Sequence, residues 1–295
     1  MLIVKLTGGL GNQLFQYAIG RVMTEQSNQE LRLDINSFTW DKLRNYALSP
    51  FNLHARIASN DEIKKIKNYN VNIKDRILHK IKGKSIPYYL YSTIKEPIFS
   101  FDTNFNKYRT KNVYLEGYWQ SEKYFIQIRS LLLKEINIDD SKLSITMRSL
   151  KSRILNLENS VSIHVRRGDY ISNSLTSEFH GNCDLNYYKN AMNVIEQSIE
   201  TPIYFVFSDD KSYVKEMFEN NENIIVVEGI SFDYEELLLM SYCKHHIIAN
   251  SSFSWWGAWL NQNSNKKVIA PSRWFLNNEM QELSRDLIPL NWIKI

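Results

Sequence analysis

At 295 residues, with 43% hydrophobic and 23% charged side chains, the chain sits near globular averages, which excludes wholesale disorder and leaves room for two domains. The net charge of +4 comes from a basic excess confined to one patch without a nucleic-acid-binding motif, and no apolar run approaches the ~18 residues of a membrane span. Two cysteines, Cys183 and Cys243, cannot build a disulfide framework and read as reduced thiols.

The first residues, MLIVKLTGG, lack the basic stretch and long apolar core of a secretory signal, so a cytoplasmic protein is expected. Residues 2–6 form a short apolar strand. Gly8, Gly9 and Gly11 follow it, three of the ten glycines within four residues. From Asn12 the apolar positions Leu14, Phe15, Ala18, Ile19, Val22 and Met23 keep a helical period. Residues 31–35 alternate like a second strand and carry Asp34. This strand, glycine turn and helix, with Asp34 23 residues beyond Gly11, partly match a dinucleotide-binding fingerprint. Leu14 stands where the third glycine belongs, so an oxidoreductase rests on an incomplete motif.

Between Asp61 and Lys84 eight basic residues face three acidic ones, and Ile63, Ile66, Ile73, Ile77, Leu78 and Ile81 mostly recur at helical steps. Such a segment is either a solvated helix face over a core or a contact with the inner face of an anionic membrane. The stretch from 38 to 160 resists ordering. Within it, YLEGYWQ at 114–120 mixes aromatic and polar residues as a carbohydrate-facing surface does, and makes Tyr118 and Trp119 candidate acceptor contacts with Asp34. Ordinary edge-strand packing is the alternative.

The second half is regular. Strand-like runs at 161–165, 203–207, 223–227, 246–249 and 267–270 alternate with helical ones at 186–199, 211–219, 233–242 and 253–260. This alternation predicts a parallel, doubly wound sheet, whose ligands bind beyond the carboxyl ends of the strands. Those ends carry Arg166, Arg167 and Asp169; Ser208, Asp209 and Asp210; Glu228; and Asn250, Ser251, Ser252 and Ser254. Adjacent arginines suit phosphate oxygens, and a serine-rich helix start offers hydroxyls and free N–H groups to a second anion. The competing role is structural: Arg167 paired with Asp169 or Asp209, and the serines as plain helix caps. Two anion receptors on one rim, with carboxylates beside them, point to a nucleotide-linked substrate.

GGLGNQLFQYA at 8–18, SIHVRRGDY at 162–170, FSDD at 207–210 and IIANSSFSWWGAWL at 247–260 together resemble the bacterial α-1,2-fucosyltransferases. The resemblance implies an α/β, GT-B-like architecture of two Rossmann-like domains facing a central cleft. Residues 1–158 would be an acceptor-side domain and 159–275 the GDP-sugar domain, with 276–295 a tail returning to the first. It further implies transfer of L-fucose from GDP-β-L-fucose to the 2-hydroxyl of a terminal galactose, with inversion, in surface polysaccharide or O-antigen synthesis. Another nucleotide sugar, or glycan binding without turnover, are the alternatives. The resemblance puts His164, Arg166, Arg167 and the 250–254 turn on the donor, joined by Gly11, Ser208, Asp209 and Glu228. Arg166, Asp169 and Asn12 are the expected catalytic residues. Carboxylates open for the role of base are Asp34, Glu116, Asp169 and Glu178, with His180 as an imidazole alternative. No metal or cofactor is expected, because two guanidiniums and a helix N-terminus do a cation's work. The acceptor is expected to be a galactose-terminated glycan, lipid-linked if the basic segment meets the membrane.

Overall fold

The computed structural model describes residues 1–68, 71–167, 183–219 and 221–295. They fall into two compact units, Met1–Ile136 and Asn137–Ile295.

The first unit is built on five parallel strands, β1 (Leu2–Lys5), β2 (Leu31–Asp34), β3 (Ala55–Ile57), β4 (Thr93–Lys95) and β5 (Val113–Glu116), ordered β3-β2-β1-β5-β4. Leu2 stands opposite both Leu31 and Val113. The central strands are apolar on both faces because a parallel sheet is covered on both sides. The order places β5 inside the sheet, so residues 113–116 are not an edge strand. Helix α1 (Leu10–Ser27) starts two residues before the expected Asn12, which puts Gly11 and Asn12 inside its first turn. It lies close on the sheet because Gly20 has no side chain: a Cβ there would sit 2.5 Å from Val4 Cγ2 and 2.7 Å from Leu31 Cδ1. The basic segment divides into α2 (Asn60–Asn68) and α3 (Ile73–Ile81). Ile63 and Ile66 of α2 pack with Ile3 and Tyr114, whereas α3 buries none of its residues. At the unit's end α4 (Arg129–Glu135) places buried Glu135 against the Tyr17 hydroxyl and the Arg21 guanidinium of α1.

The second unit opens with α5 (Ile145–Leu155), then alternates β6 (Ser160–Val165), α6 (Leu185–Glu196), β7 (Ile203–Ser208), α7 (Lys211–Met217), β8 (Ile224–Val226), α8 (Asp233–Tyr242), β9 (His245–Ile247), α9 (Ser252–Leu260) and β10 (Val268–Ala270). Helix α10 (Asn278–Leu283) and β11 (Ile293–Lys294) complete it. All six strands are parallel, in the order β11-β10-β9-β6-β7-β8. Helix α9 is buried through its tryptophans: the Trp255 indole N–H donates to the Leu287 carbonyl at 2.8 Å, and its ring packs on Trp259 and Trp292. These indoles are part of the core.

Two expected boundaries change. The units divide at Ile136/Asn137 rather than at 158, because α5 belongs with the second sheet. Glu235, in the first turn of α8, accepts from both the N–H and the hydroxyl of Ser144, the residue that caps α5. The tail after 275 stays with the second unit, where β11 pairs with β10.

Candidate active site

In each sheet the strand order reverses at one point, the place where open parallel sheets leave a crevice for ligand. In the second unit the chain runs from β6 outward to β7 and β8, then returns to add β9, β10 and β11 on the other side. The reversal therefore lies between β6 and β9. Arg166 follows β6 and Ser251 follows β9, and the Arg166 Nη1 donates to Ser251 Oγ at 3.2 Å. The arginine after β6 and the serine-rich turn before α9, read separately from the sequence, thus meet at one point.

Ser251 is the N-cap of α9, its hydroxyl also accepting from the Phe253 N–H. Ser252 occupies the first helical position. Ser254 is buried, its hydroxyl lying within reach of the Ala249 and Ser251 carbonyls, so it serves the turn itself. Asn250 is buried and its amide donates to the Trp274 carbonyl, bracing the turn from beneath. A nine-residue helix with no acidic residue in its first turn presents a positive dipole end beside a guanidinium.

Arg167 points elsewhere. Its backbone N–H donates to Asp209 at 2.9 Å, while its guanidinium stacks on the Tyr213 ring at 3.6 Å and lies 3.8 Å from Asp210. Asp209 therefore fixes the β6 and β7 ends together. Ser208 is buried and accepts from the Asp210 N–H, and Asp210 in turn caps α7. Glu228, half-exposed, is taken by Lys215 at 2.7 Å.

His164, one residue short of the β6 end, is buried against Phe253. Burial, with Arg166 and Lys211 nearby, pushes its pKa down to about 3, so the ring is neutral at physiological pH. Its Nδ1 has no partner among the described residues and keeps one hydrogen-bonding capacity in reserve. The expected Asp169, with Glu178 and His180, lies outside the described residues.

The first unit's reversal lies between β1 and β5. The glycine turn after β1 needs Gly8, which has φ +77° and leaves no room for a Cβ beside the Asn12 amide, 2.6 Å away. Asn12 accepts from the Gln120 amide at 2.7 Å, so the helix start and the loop after β5 are joined across the reversal. Gln13 and Gln16 act as internal braces. The former bonds the Gly8 and Asn45 carbonyls and the Ala47 N–H; the latter bonds the Thr7 N–H and the Gly117 carbonyl.

The loop after β5 separates the two expected acceptor contacts. Tyr118 is 42% exposed, whereas Trp119 is fully buried among Tyr108 and Tyr124. Trp119 is thus a core residue, held at φ +58°, a backbone region bulky side chains rarely occupy. Asp34 is also buried, accepting from the Tyr114 hydroxyl at 2.7 Å and the Asn36 N–H at 3.0 Å. Glu116 pairs with Lys5 at 2.7 Å, which holds its carboxyl below the usual range against burial.

Sequence reasoning missed Glu96. It follows β4, and its two oxygens accept from the Tyr118 N–H at 2.8 Å and the Trp119 N–H at 2.9 Å. Among the described residues it has no cation partner. Burial therefore prevails over the two amide bonds and pushes its pKa up to about 7. No local motif marks this residue; only the neighbouring positive-φ loop identifies it.

The family model described as glycosyl transferase family 11 matches residues 1–295. An α-1,2-colitosyltransferase of Escherichia coli is 33% identical, covering 100% of this chain and 99% of its own. The O-antigen biosynthesis glycosyltransferase WbnK of Escherichia coli is also 33% identical, over 98% of this chain and 99% of its own. Among solved structures, the Bradyrhizobium α-1,6-fucosyltransferase NodZ co-crystallised with GDP superposes with a TM-score of 0.52 at 13% identity, over 87% of this chain and 91% of that one. That likeness concerns the fold alone, an α/β chain of the GT-B kind.

Proposed function

Since the chain belongs to glycosyl transferase family 11, we propose that it transfers L-fucose from GDP-β-L-fucose to the 2-hydroxyl of a terminal galactose, forming an α-1,2 linkage with inversion during O-antigen synthesis. The observation that carries this reading is the Arg166–Ser251 contact at the reversal of the second sheet. A guanidinium and the start of α9 there form one receptor for a pyrophosphate. As the fucosyl–oxygen bond breaks, negative charge grows on the departing GDP, and donors already in place stabilise it without reorganising. This charge work is the part a divalent cation plays in other transferases, so the reaction runs without metal. His164, neutral and short of one partner, orients the donor rather than moving a proton. Arg167, stacked on Tyr213, supports the rim and does not itself clamp phosphate.

On the first unit Tyr118 and Asn12 serve the acceptor. Glu96 is the rim carboxylate suited to take the hydroxyl proton, because a base with a pKa near 7 matches the working pH. Asp34 and Glu116 are already committed to Tyr114 and Lys5.

The colitosyltransferase relative makes an activated colitose the second donor to test. The experiment is GDP release with GDP-fucose, the colitose donor, GDP-mannose and UDP-galactose, each with lactose or a galactose-terminated glycan panel. Release with GDP-fucose that falls roughly a hundredfold to a thousandfold in folded Arg166→Ala supports the reading. Turnover with a different donor alone overturns the fucosyl assignment. Normal GDP affinity and turnover in Arg166→Ala remove Arg166 from the site.

A further inference from the structure

Helix α3 breaks the rule that an amphipathic helix turns its apolar stripe to the core. Its N-cap Asn72 accepts from the Lys74 N–H, so it is a defined helix, yet none of its nine residues is buried. Ile73, Ile77 and Ile81, spaced four apart on one face, are 72%, 54% and 78% exposed, and Leu78 beside them is 47% exposed. Cations border this row. Lys74 lies on one side in the row with Leu78, Arg76 and Lys80 lie on the other, and Lys82 and Lys84 follow directly. Among the described residues none of the five makes an ion pair, and Asp75 is the one carboxylate in the helix. The groove beside α3 repeats the pattern, with Ile73, Ile77 and Tyr91 set among Arg76, Lys80 and Lys84.

We propose that α3 is a docking surface for an anionic lipid bilayer, the aliphatic row entering the headgroup boundary while the flanking cations meet lipid phosphates. An apolar stripe bordered by lysine and arginine matches that boundary, which is apolar below and negatively charged above. A second copy of the chain fits poorly. A helix about 13 Å long offers far less than the ~800 Å² per partner of a stable interface, and it would set cations against cations. The neighbouring α2 marks the contrast. Both helices carry isoleucines at helical spacing, and only those of α2 reach the core. The proposal is independent of which sugar is transferred.

The test is sedimentation of the full chain with vesicles of phosphatidylcholine alone or with about 30% phosphatidylglycerol, at about 50 and 500 mM salt. Binding is expected to the anionic vesicles, weakened by salt. Lys74→Ala with Lys80→Ala should lower vesicle affinity roughly thirtyfold, taking about 1 kcal/mol per cation near such a surface. Ile73→Ser with Ile77→Ser should lower it as well. Because α3 buries nothing, both variants should keep the wild-type melting temperature and the wild-type rate on a small soluble acceptor. Absence of wild-type binding to anionic vesicles at low salt overturns the proposal. So does binding that survives both variants, or a dimer that the isoleucine variant dissolves.

Discussion

Replacing Glu96 by glutamine removes one ionisable group from the loop after β5 while leaving an oxygen to accept one of its two N–H bonds. The wild-type carboxyl has a pKa of about 7 in the folded protein against 4.5 ordinarily, because burial without a cation disfavours its charge. The folded state thus binds this proton more tightly than the unfolded state. The resulting stabilisation is complete below about pH 4.5 and is lost as pH rises through about 7. The full effect is about 3 kcal/mol, of which about 2.5 kcal/mol lies between pH 5 and pH 8.5. The glutamine variant has no such dependence, and it carries a pH-independent cost of about 1–3 kcal/mol for the N–H left without an acceptor. Denaturant unfolding of both proteins across that pH range therefore has a definite outcome: the wild-type advantage shrinks from pH 5 to about 7 and levels off above it. A stability difference that stays constant from pH 5 to pH 8.5 would refute the account of Glu96 as a desolvated, unpaired carboxyl. In the transfer reaction, the limb of the kcat/KM profile near pH 7 should vanish in the variant, with kcat lower by roughly 10²–10⁴.

Tyr118→Ala should leave the melting temperature nearly unchanged and raise the acceptor KM, whereas Trp119→Ala should cost about 3–5 kcal/mol by emptying a buried site. Equal destabilisation by the two would contradict their opposite burial. Gly20→Ala should destabilise the first unit by about 1–3 kcal/mol, since the new methyl meets Val4 at 2.5 Å; a neutral result in thermal unfolding would show that α1 can lift off the sheet freely. Activity should survive a chelator, and loss that manganese or magnesium restores would show that Arg166 and α9 do not carry the leaving-group charge alone.

Much of this architecture is legible in the sequence because parallel strands buried on both faces read as short apolar runs between helical periods. The second unit's strands and helices were placed that way, and with them the rim bearing Arg166, Asp209 and the 250–254 turn. Residues 38–160 gave no such rhythm. There β3 and β4 have only three residues each, and many connections are single 3₁₀ turns, too short for any period to emerge.

Local pattern established which residue types stand at which strand end. Pairing, burial and competition for partners are long-range outcomes, and tertiary structure alone decided them. Arg166 meets Ser251 because β6 and β9 are neighbours across 85 residues of chain. Arg167, identical in kind and adjacent in sequence, turns instead to Tyr213 and Asp210. Tyr118 and Trp119 part in the same manner, one to the surface and one to the core. The α3 isoleucines keep the same helical period as those of α2, and periodicity states that a face exists without stating what covers it. Glu96 becomes distinctive only when the loop 22 residues later folds back to give it two N–H groups, with no cation among the described residues. Composition and spacing determine which groups are available; the free energy of burial determines which of them remain free to act.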